Sequence, residues 1–260
     1  MDQPLLKLSH VTVCYNGLPA VRDISFDLMP GEVLGLVGES GSGKSTVIRS
    51  VTGLLGEAGR VTRGDICFKG KNVIDMSDKA RRHLLGPEIG MVFQDCEAAL
   101  CPIRKVGAQI HESLSAHKKI TRKTSDRLAA EMMTKIGLRD PERILSGYPF
   151  EMSGGMNQRI GIVMAMLMQP ALLLADEPTS ALDVTVQAQV VQLLRQMREN
   201  DHTAMILVTH NMGLVEALCD RVLVMKVGQM VETGPVKSLL AHPASPYTRQ
   251  LMDAVLRLAR

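Results

Sequence analysis

Short, nearly all-apolar runs recur along the chain. Runs of this kind indicate strands that are buried on both faces of a parallel sheet. They cover residues 32–37, 89–93, 171–175, 205–209 and 222–225. We therefore predict a mostly parallel sheet at the centre of the fold.

Alternation of apolar and polar residues marks a second kind of strand near the N-terminus. Residues 5–13 and 24–28 alternate in this way, and the turn signals Asn16-Gly17 and Pro30-Gly31 follow them. Such alternation is typical of strands with one buried face. We predict antiparallel strands here, a short strand at 66–68, and a turn at Gly228 that leads into residues 230–231.

Helix-compatible stretches fill several intervals between the strands. Residues 44–54 and 212–219 are two of them, and Asp183 begins an amphipathic helix. The apolar face of that helix consists of Val186, Val190, Leu193, Leu194 and Met197. Between residues 106 and 137 the pattern is helical and more polar. Alternating strands and helices predict an α/β fold with helices on the faces of the sheet.

Composition and charge exclude several classes of protein. The 260 residues are 45% apolar and 22% charged, which is ordinary for a globular protein. The net charge of +3 is too weak to argue for a nucleic-acid partner, and none is expected. No apolar run reaches the roughly 20 residues of a membrane helix. The start of the chain, with Asp2 and Pro4, predicts no signal peptide. The cysteines form no CxxC pair and are predicted to be reduced; no nearby ligand supports a metal site at Cys96 and Cys101.

A glycine-rich segment between the predicted strand 32–37 and helix 44–54 carries the first chemical motif. It consists of Gly38, Glu39, Ser40, Gly41, Ser42, Gly43, Lys44 and Ser45, which fits G-x-x-x-x-G-K-[ST] at every fixed position. Glycines let successive backbone N–H groups point at a triphosphate, and the helix N-terminus adds its positive dipole end. We predict that Lys44 binds the β- and γ-phosphates, Ser45 ligates Mg²⁺ and Thr46 contacts the α-phosphate. The alternative is an accidental glycine-rich turn.

Two carboxylates, Asp176 and Glu177, follow the predicted strand 171–175. Ligands bind at the carboxyl ends of parallel strands. We therefore predict that Asp176 holds Mg²⁺ through water and that Glu177 orients or deprotonates the attacking water. The alternative is a pair of solvated acids, with Pro178 ending the strand.

Residues 152–156, MSGGM, resemble the LSGGQ signature of ABC ATPases, and Asn157, Gln158 and Arg159 continue it as in that family. The order of the motifs along the chain is similar too, so the chain is identified by resemblance as an ABC transporter ATP-binding subunit. The resemblance implies a P-loop NTPase fold with a RecA-like mixed or parallel sheet core, an antiparallel β edge subdomain and an inserted α-helical subdomain. The expected domains are 1–94 with 166–240 for the core, 95–165 for the helical signature subdomain and 241–260 for a C-terminal tail.

Further residues take roles only through this resemblance. Tyr15 is expected to stack on adenine, Gln94 to touch Mg²⁺ and the attacking water, and His210 to contact the γ-phosphate. Residues 180–183, which include Ala181 and end in Asp183, resemble the D-loop at the dimer seam.

The signature segment has an expected role across that seam. Ser153 is a plausible helix N-cap, and Gly154 and Gly155 allow close backbone approach to a phosphate. In the family this segment reaches the γ-phosphate held by the other subunit, so that one ATP lies between two chains. Met156 departs from the signature glutamine, and Cys96 stands where the family usually has proline.

The resemblance also implies cofactors, partners and a location. ATP and Mg²⁺ are the expected cofactors, and ATP hydrolysis is the expected reaction. The expected partners are a second, homologous ABC ATPase subunit, two transmembrane permease subunits and, indirectly, an extracytoplasmic substrate-binding protein. The expected location is peripheral, on the cytoplasmic face of the bacterial inner membrane.

The cargo is expected from two short segments. Residues 242–248, HPASPYT, resemble the HPxxPYT element of the oligopeptide, dipeptide and nickel importer ATPases, and residues 148–151, YPFE, resemble the nickel members in particular. Many peptide members continue into a cysteine-rich tail that binds an iron–sulfur cluster, which is not seen here; this favours a nickel or metallophore importer slightly, although short peptide members exist. The expected cargo is therefore nickel or a metal chelate, or a di- or oligopeptide. Met164, Met166 and Met168 are expected to fill core gaps rather than bind metal.

Three alternatives compete with a transport ATPase. A non-transport ABC ATPase of the DNA-repair or translation type would carry a long coiled coil or two cassettes, and neither pattern is present. A small-molecule kinase or GTPase would not account for residues 153–156 or His210. A regulatory ATP-binding module without turnover is disfavoured by Lys44, Glu177 and His210.

Overall fold

The computed structural model describes residues 3–180 and 182–258, with residues 253–258 as helical backbone only. Asp2, Ala181 and residues 259–260 of the predicted tail lie outside the described residues. Two compact units form, one from the segments up to Arg82 and from Ala204 onward, the other from His83–Thr203. The division of the domains at residues 94, 165 and 240 follows the motifs instead and stays a prediction.

The strands are β1 (Leu6–Tyr15), β2 (Leu18–Leu28), β3 (Val33–Val37), β4 (Gly59–Phe68), β5 (Lys71–Asn72), β6 (Ile89–Val92), β7 (Leu172–Asp176), β8 (Ala204–Val208), β9 (Arg221–Lys226) and β10 (Gln229–Pro235). The helices are α1 (Lys44–Thr52), α2 (Asp78–Leu84), α3 (Cys96–Ala99), α4 (Val106–Ser115), α5 (Arg122–Lys135), α6 (Pro141–Ser146), α7 (Gly154–Met166), α8 (Val184–Asp201), α9 (Met212–Leu218), α10 (Val236–Ala241) and α11 (Pro246–Leu258). A short 3₁₀ helix covers Pro149–Glu151.

The first unit contains the antiparallel sheet predicted from the alternating segments. Its strand order is β2-β1-β4-β5, and every pairing is antiparallel. Strand β4 starts well before the predicted 66–68, because its early residues Arg60 and Arg63 face solvent and hide the alternation. The expected antiparallel strands are confirmed.

A second sheet in the first unit has the order β10-β9-β3-β8. Strand β3 pairs in parallel with both β8 and β9, and β10 adds an antiparallel edge. All residues of β3 and β8 are buried, which is why these strands lack alternation. The predicted turn at Gly228 joins β9 to β10, and its φ of 77° is one that glycine adopts without strain.

The second unit combines strands β6 and β7 with the helices from α3 to α8. The two strands pair in parallel, with Val92 opposite Ala175. Helix α8 begins after Asp183, as predicted, and buries Val190, Leu193, Leu194 and Met197. Val186, predicted to share that face, is only partly buried because it lies in the first turn.

The expectation about the methionines has a clear outcome. Met166 and Met168 are buried core residues and Met164 is partly buried, in keeping with the predicted gap-filling role. Among the described residues, no cluster of three or more His, Cys, Asp or Glu side chains could hold a metal ion, and the cysteines are free thiols. In the same part of the chain, no helix has both the length and the apolar character needed to cross a bilayer.

Candidate functional site

The glycine-rich loop leaves buried strand β3 and ends where helix α1 begins. Gly38, Gly41 and Gly43 have φ values of 150°, 78° and 100°, which side chains rarely adopt. A Cβ atom at Gly38 would lie 2.2 Å from the Met225 carbonyl oxygen, whereas one at Gly41 would meet nothing within 4 Å. The loop is therefore tightly packed on its protein side and open at its tip.

Lys44, the first residue of α1, points back into this loop. Its Nζ donates hydrogen bonds to the carbonyl oxygens of Gly38 at 2.9 Å and Glu39 at 2.8 Å, and to Ser42 Oγ at 3.3 Å. The side chain is buried, with 8% of its surface exposed. A buried ammonium requires such acceptors, so the lysine and the loop hold each other in place. Ser45 and Thr46 follow in the first turn of α1 and are partly exposed.

His210 lies at the same sheet edge as the glycine-rich loop. Strands β3 and β8 are parallel neighbours, with Leu36 opposite Val208, so their carboxyl ends meet at one edge. β3 continues into Gly38, and β8 continues through buried Thr209 into exposed His210. The backbone N–H of Thr209 donates to the Leu36 carbonyl oxygen at 3.2 Å and fixes this juncture.

Tyr15 ends strand β1 and is partly buried. Its ring lies against Gly59, where an added Cβ would lie 2.7 Å from Tyr15 Cε1. The backbone of Asn16 donates to the Ala58 carbonyl oxygen at 3.1 Å beside it. The ring thus lies against a glycine, and the missing side chain leaves it room.

In the second unit, parallel strands β6 and β7 bring a further group of predicted residues to one edge. Gln94 follows β6 and is exposed, while Asp176 ends β7 with only 1% of its surface exposed. Glu177 comes next with a φ of 49°, an uncommon value outside glycine, asparagine and aspartate. That turn directs the chain away from the strand immediately after the two carboxylates.

Gln158 fixes this turn, and its role was missed from the sequence. Its Nε2 donates to the Glu177 carbonyl oxygen at 2.9 Å, and its side chain is 2% exposed. Ser180 Oγ donates to the same carbonyl at 3.1 Å. The sequence showed Gln158 only as a continuation of the signature, and no local pattern links it to a residue 19 positions away.

Helix α7 begins at the signature segment. Ser153 is its N-cap, as predicted, and its Oγ accepts the N–H of Met156 at 3.3 Å. Ser153 and Gly154 are exposed, and a Cβ at Gly154 would meet nothing within 4 Å. Asp183 caps α8 in the same way, accepting the N–H of Val186 at 3.0 Å.

Two ionisable groups near the signature helix have shifted pKa values. Burial raises the pKa of the Cys96 thiol to about 11. The thiol donates to the Phe93 carbonyl oxygen at 3.1 Å. Partial burial lowers the pKa of Arg159, and the negative charge of Asp183 opposes that shift. Arg159 also donates to the Gly137 carbonyl oxygen at 3.0 Å. Cys96 is therefore a packing thiol rather than a reactive one.

The predicted donor groups suit ATP and Mg²⁺ chemically. A glycine loop with a lysine at a helix start is built for phosphate oxygens. Ser45, Gln94 and Asp176 offer hydroxyl, amide and carboxylate oxygens, the hard donors that Mg²⁺ takes. Asp176 is the one carboxyl group among these donors, and only 1% of its surface is exposed.

A scan of family models matches residues 21–180 to the ABC transporter family. The dipeptide transport ATP-binding protein DppD of Bacillus subtilis is 44% identical over 246 residues, which are 94% of this chain and 73% of that protein. The oligopeptide transport ATP-binding protein OppD of the same organism is 43% identical, over 93% of this chain and 68% of that protein. DppD of Escherichia coli is 41% identical, over 93% of this chain and 74% of that protein.

Solved structures give the same fold. An ATP-binding cassette solved as a dimer in a post-hydrolysis state, with ADP and Pi, has a TM-score of 0.80 and 25% identity, covering 89% of this chain and 98% of that chain. The cbiO1 protein of Clostridium perfringens, part of the cbiONQ transporter complex, has a TM-score of 0.75 and 27% identity, covering 99% and 98% of the two chains.

Proposed function

The chain belongs to the ABC transporter family as an ATP-hydrolysing subunit, and from this premise we propose that it powers the import of dipeptides or oligopeptides. The named relatives serve dipeptide or oligopeptide transport, and they match more than nine-tenths of this chain. The expectation of a nickel cargo finds no support among them. The non-transport alternative is likewise not favoured.

The conformation of the phosphate loop is the observation that carries the ATP-binding part of the proposal, whereas the peptide cargo rests on the relatives. Lys44 is held at the centre of residues 38–43 by the loop's own oxygens, and the loop is open at Gly41. We assign residues 38–45 and Thr46 to the phosphates of ATP, with Lys44 as the charge that attracts them. Tyr15, with its ring against Gly59, is assigned to the adenine base.

Hydrolysis is assigned to residues at the two sheet edges. Glu177 orients or deprotonates the attacking water, and His210 contacts the γ-phosphate. Asp176, Ser45 and Gln94 would hold Mg²⁺, which when bound neutralises phosphate charge. The Gln158 hydrogen bond to the Glu177 carbonyl fixes the backbone from which that side chain projects.

Ser153, Gly154, Gly155 and Asp183 are assigned to a nucleotide held by a neighbouring ATPase subunit. Ser153 and Gly154 are exposed at the start of α7, where backbone N–H groups and the helix dipole favour an anion. The proposed complex contains a second ATPase subunit, two permease subunits and a substrate-binding protein on the other side of the membrane. The chain would then act at the cytoplasmic face of that membrane.

Two measurements on the assembled complex in lipid nanodiscs test this proposal. We expect ATPase activity to rise with binding protein loaded with peptide, and not with binding protein loaded with Ni²⁺. Stimulation by the Ni²⁺-loaded protein alone would show that the cargo is nickel and not a peptide.

We also expect Glu177→Gln to lower turnover by at least about 100-fold while ATP still binds. The exposed Glu199→Gln is the matched control, and equal hydrolysis by both variants would contradict the assignment of the base.

A further inference from the structure

The C-terminal segment 242–248, which the proposed function leaves without a role, is held in a defined turn. Glu232 on β10 accepts the backbone N–H of Ala244 at 2.9 Å and that of Ser245 at 3.1 Å. Ser245 Oγ in turn accepts the N–H of Tyr247 at 3.2 Å, just as α11 begins. One carboxylate therefore orders the turn and sets where the Tyr247 side chain starts.

The ring of Tyr247 lies inside the first unit. Only 8% of the residue is exposed, and Lys226 Nζ lies 4.5 Å from the ring centroid. A cation at this distance from an aromatic face is attracted to it. Lys226 ends strand β9, so the ring is held from the strand side as well as from the turn.

The hydroxyl of Tyr247 reaches the phosphate loop. Its oxygen accepts the backbone N–H of Glu39 at 3.3 Å and lies 3.5 Å from the Met225 carbonyl oxygen, to which it can donate. A phenol can do both at once. The hydroxyl thus bridges strand β9 and the second residue of the loop, across 208 positions of sequence.

Glu39 is consequently held on both sides of its backbone. Its N–H donates to Tyr247, and its carbonyl oxygen accepts from Lys44 Nζ at 2.8 Å. Farther along the loop, the Ser42 carbonyl oxygen accepts the N–H of Gly228 at 3.0 Å. The loop conformation therefore depends on the β9–β10 turn and on the C-terminal segment as well as on its own glycines.

We propose that Tyr247 is a positioning residue for the phosphate loop, through which the C-terminal turn at 242–248 sets the affinity of this subunit for ATP. The inference rests on the proposed function, because it takes residues 38–45 as the phosphate site. A loop with its N–H groups already oriented loses less conformational entropy when phosphate binds. Loosening Glu39 weakens binding to phosphates and leaves the adenine contact at Tyr15 in place.

The test compares Tyr247→Phe with wild type as full-length chains. Phenylalanine keeps the buried ring and its contact with Lys226 and removes only the hydroxyl. We expect MgATP and MgADP to bind about threefold to tenfold more weakly by calorimetry, the value of one lost hydrogen bond. Hydrogen exchange at residues 38–43 should be faster, while exchange in β3 stays unchanged. In the assembled complex, KM for ATP should rise more than kcat falls.

Tyr148→Phe is the matched control, since it makes the same chemical change in the other unit.

The outcomes separate the inference from the proposed function. If wild type binds MgATP and Tyr247→Phe binds it equally well, with unchanged exchange at 38–43, the positioning role is refuted and the function stands. If only Tyr247→Leu weakens binding, the ring serves packing alone and the role is again refuted. If wild type itself binds no MgATP, the proposed function fails first.

Discussion

At the scale of single residues, several side chains serve the backbone as well as the chemistry proposed for them. Ser153 and Asp183 are assigned to a neighbouring nucleotide, and both also cap helices, where loss of the cap costs about 1 kcal/mol. Lys44 is assigned to the phosphates of ATP, and it also donates a hydrogen bond to the Gly38 carbonyl oxygen of the phosphate loop. Simple truncation of these residues would mix a loss of stability with a loss of function, so informative variants must keep the structural hydrogen bond.

Gln158 offers a test of how the backbone at Glu177, the proposed base, is held. Replacing Gln158 with Ala removes its amide donor from the Glu177 carbonyl oxygen, in a turn whose φ of 49° is already unfavourable. We expect a loss of about 1–3 kcal/mol in the free energy of unfolding. Turnover should fall by about tenfold to 100-fold, because Glu177 is displaced.

Steady-state ATPase of the complex and thermal unfolding of the subunit check that prediction. Gln196→Ala, an exposed change on α8, is the control and should alter neither quantity. Normal turnover in a destabilised Gln158→Ala protein would mean that this glutamine stabilises the fold without positioning Glu177.

At the scale of elements, close packing joins the segment after Gln94 to the signature helix. Cys96 is the first residue of α3, after the N-cap Asp95. Proline also fits the first position of a helix, so the cysteine here and the proline expected from the family suit the same backbone. A Cβ atom added at Gly161 of α7 would lie 2.6 Å from Cys96 Sγ. The missing side chain at 161 therefore lets α3 and α7 touch.

Gly161→Ala tests whether that contact is tight. Alanine gains about 0.5–1 kcal/mol over glycine in a helix interior, but overpacking costs about 1–3 kcal/mol. We expect net destabilisation by about 1 kcal/mol, measured by urea unfolding. Adding Cys96→Ala should return most of that loss, since it removes the clashing sulfur. A stabilised Gly161→Ala chain, or an additive double variant, would show that the two helices have room between them.

The positions of the buried strands could be predicted from the sequence, whereas the start of β4 and one long-range contact could not. The buried strands β3, β7 and β8 were placed within one or two residues, because each is a continuous apolar run that ends directly at a chemical motif. The start of β4 was missed because Arg60 and Arg63 face water. The Tyr247 contact with Glu39 could not be predicted, since it depends on a turn fixed by Glu232 and not on any periodicity.

At the scale of the whole molecule, the proposed function requires more than one chain. Lys44 and its loop would bind a nucleotide in an isolated subunit, whereas Ser153 would act only on a nucleotide held by a neighbour. These two requirements make separable predictions. A change at Ser153 should leave ATP binding by the isolated chain intact and damage only the assembled enzyme.

Ser153→Asp makes that separation without unfolding α7. Aspartate caps helices as well as serine does, so the hydrogen bond to the Met156 N–H can be kept. Its negative charge would lie against the γ-phosphate of the neighbouring nucleotide, and like charges brought together cost several kcal/mol. We expect unchanged MgATP affinity by calorimetry on the isolated chain and at least about tenfold lower ATPase in the complex at saturating ATP.

Ser153→Asn keeps the cap without the charge and should retain most activity. An equal loss of activity in both variants would show that the effect comes from helix geometry and not from the charge. If Ser153→Asp is fully active in a complex whose Lys44→Ala variant is inactive, the signature segment does not contact the nucleotide.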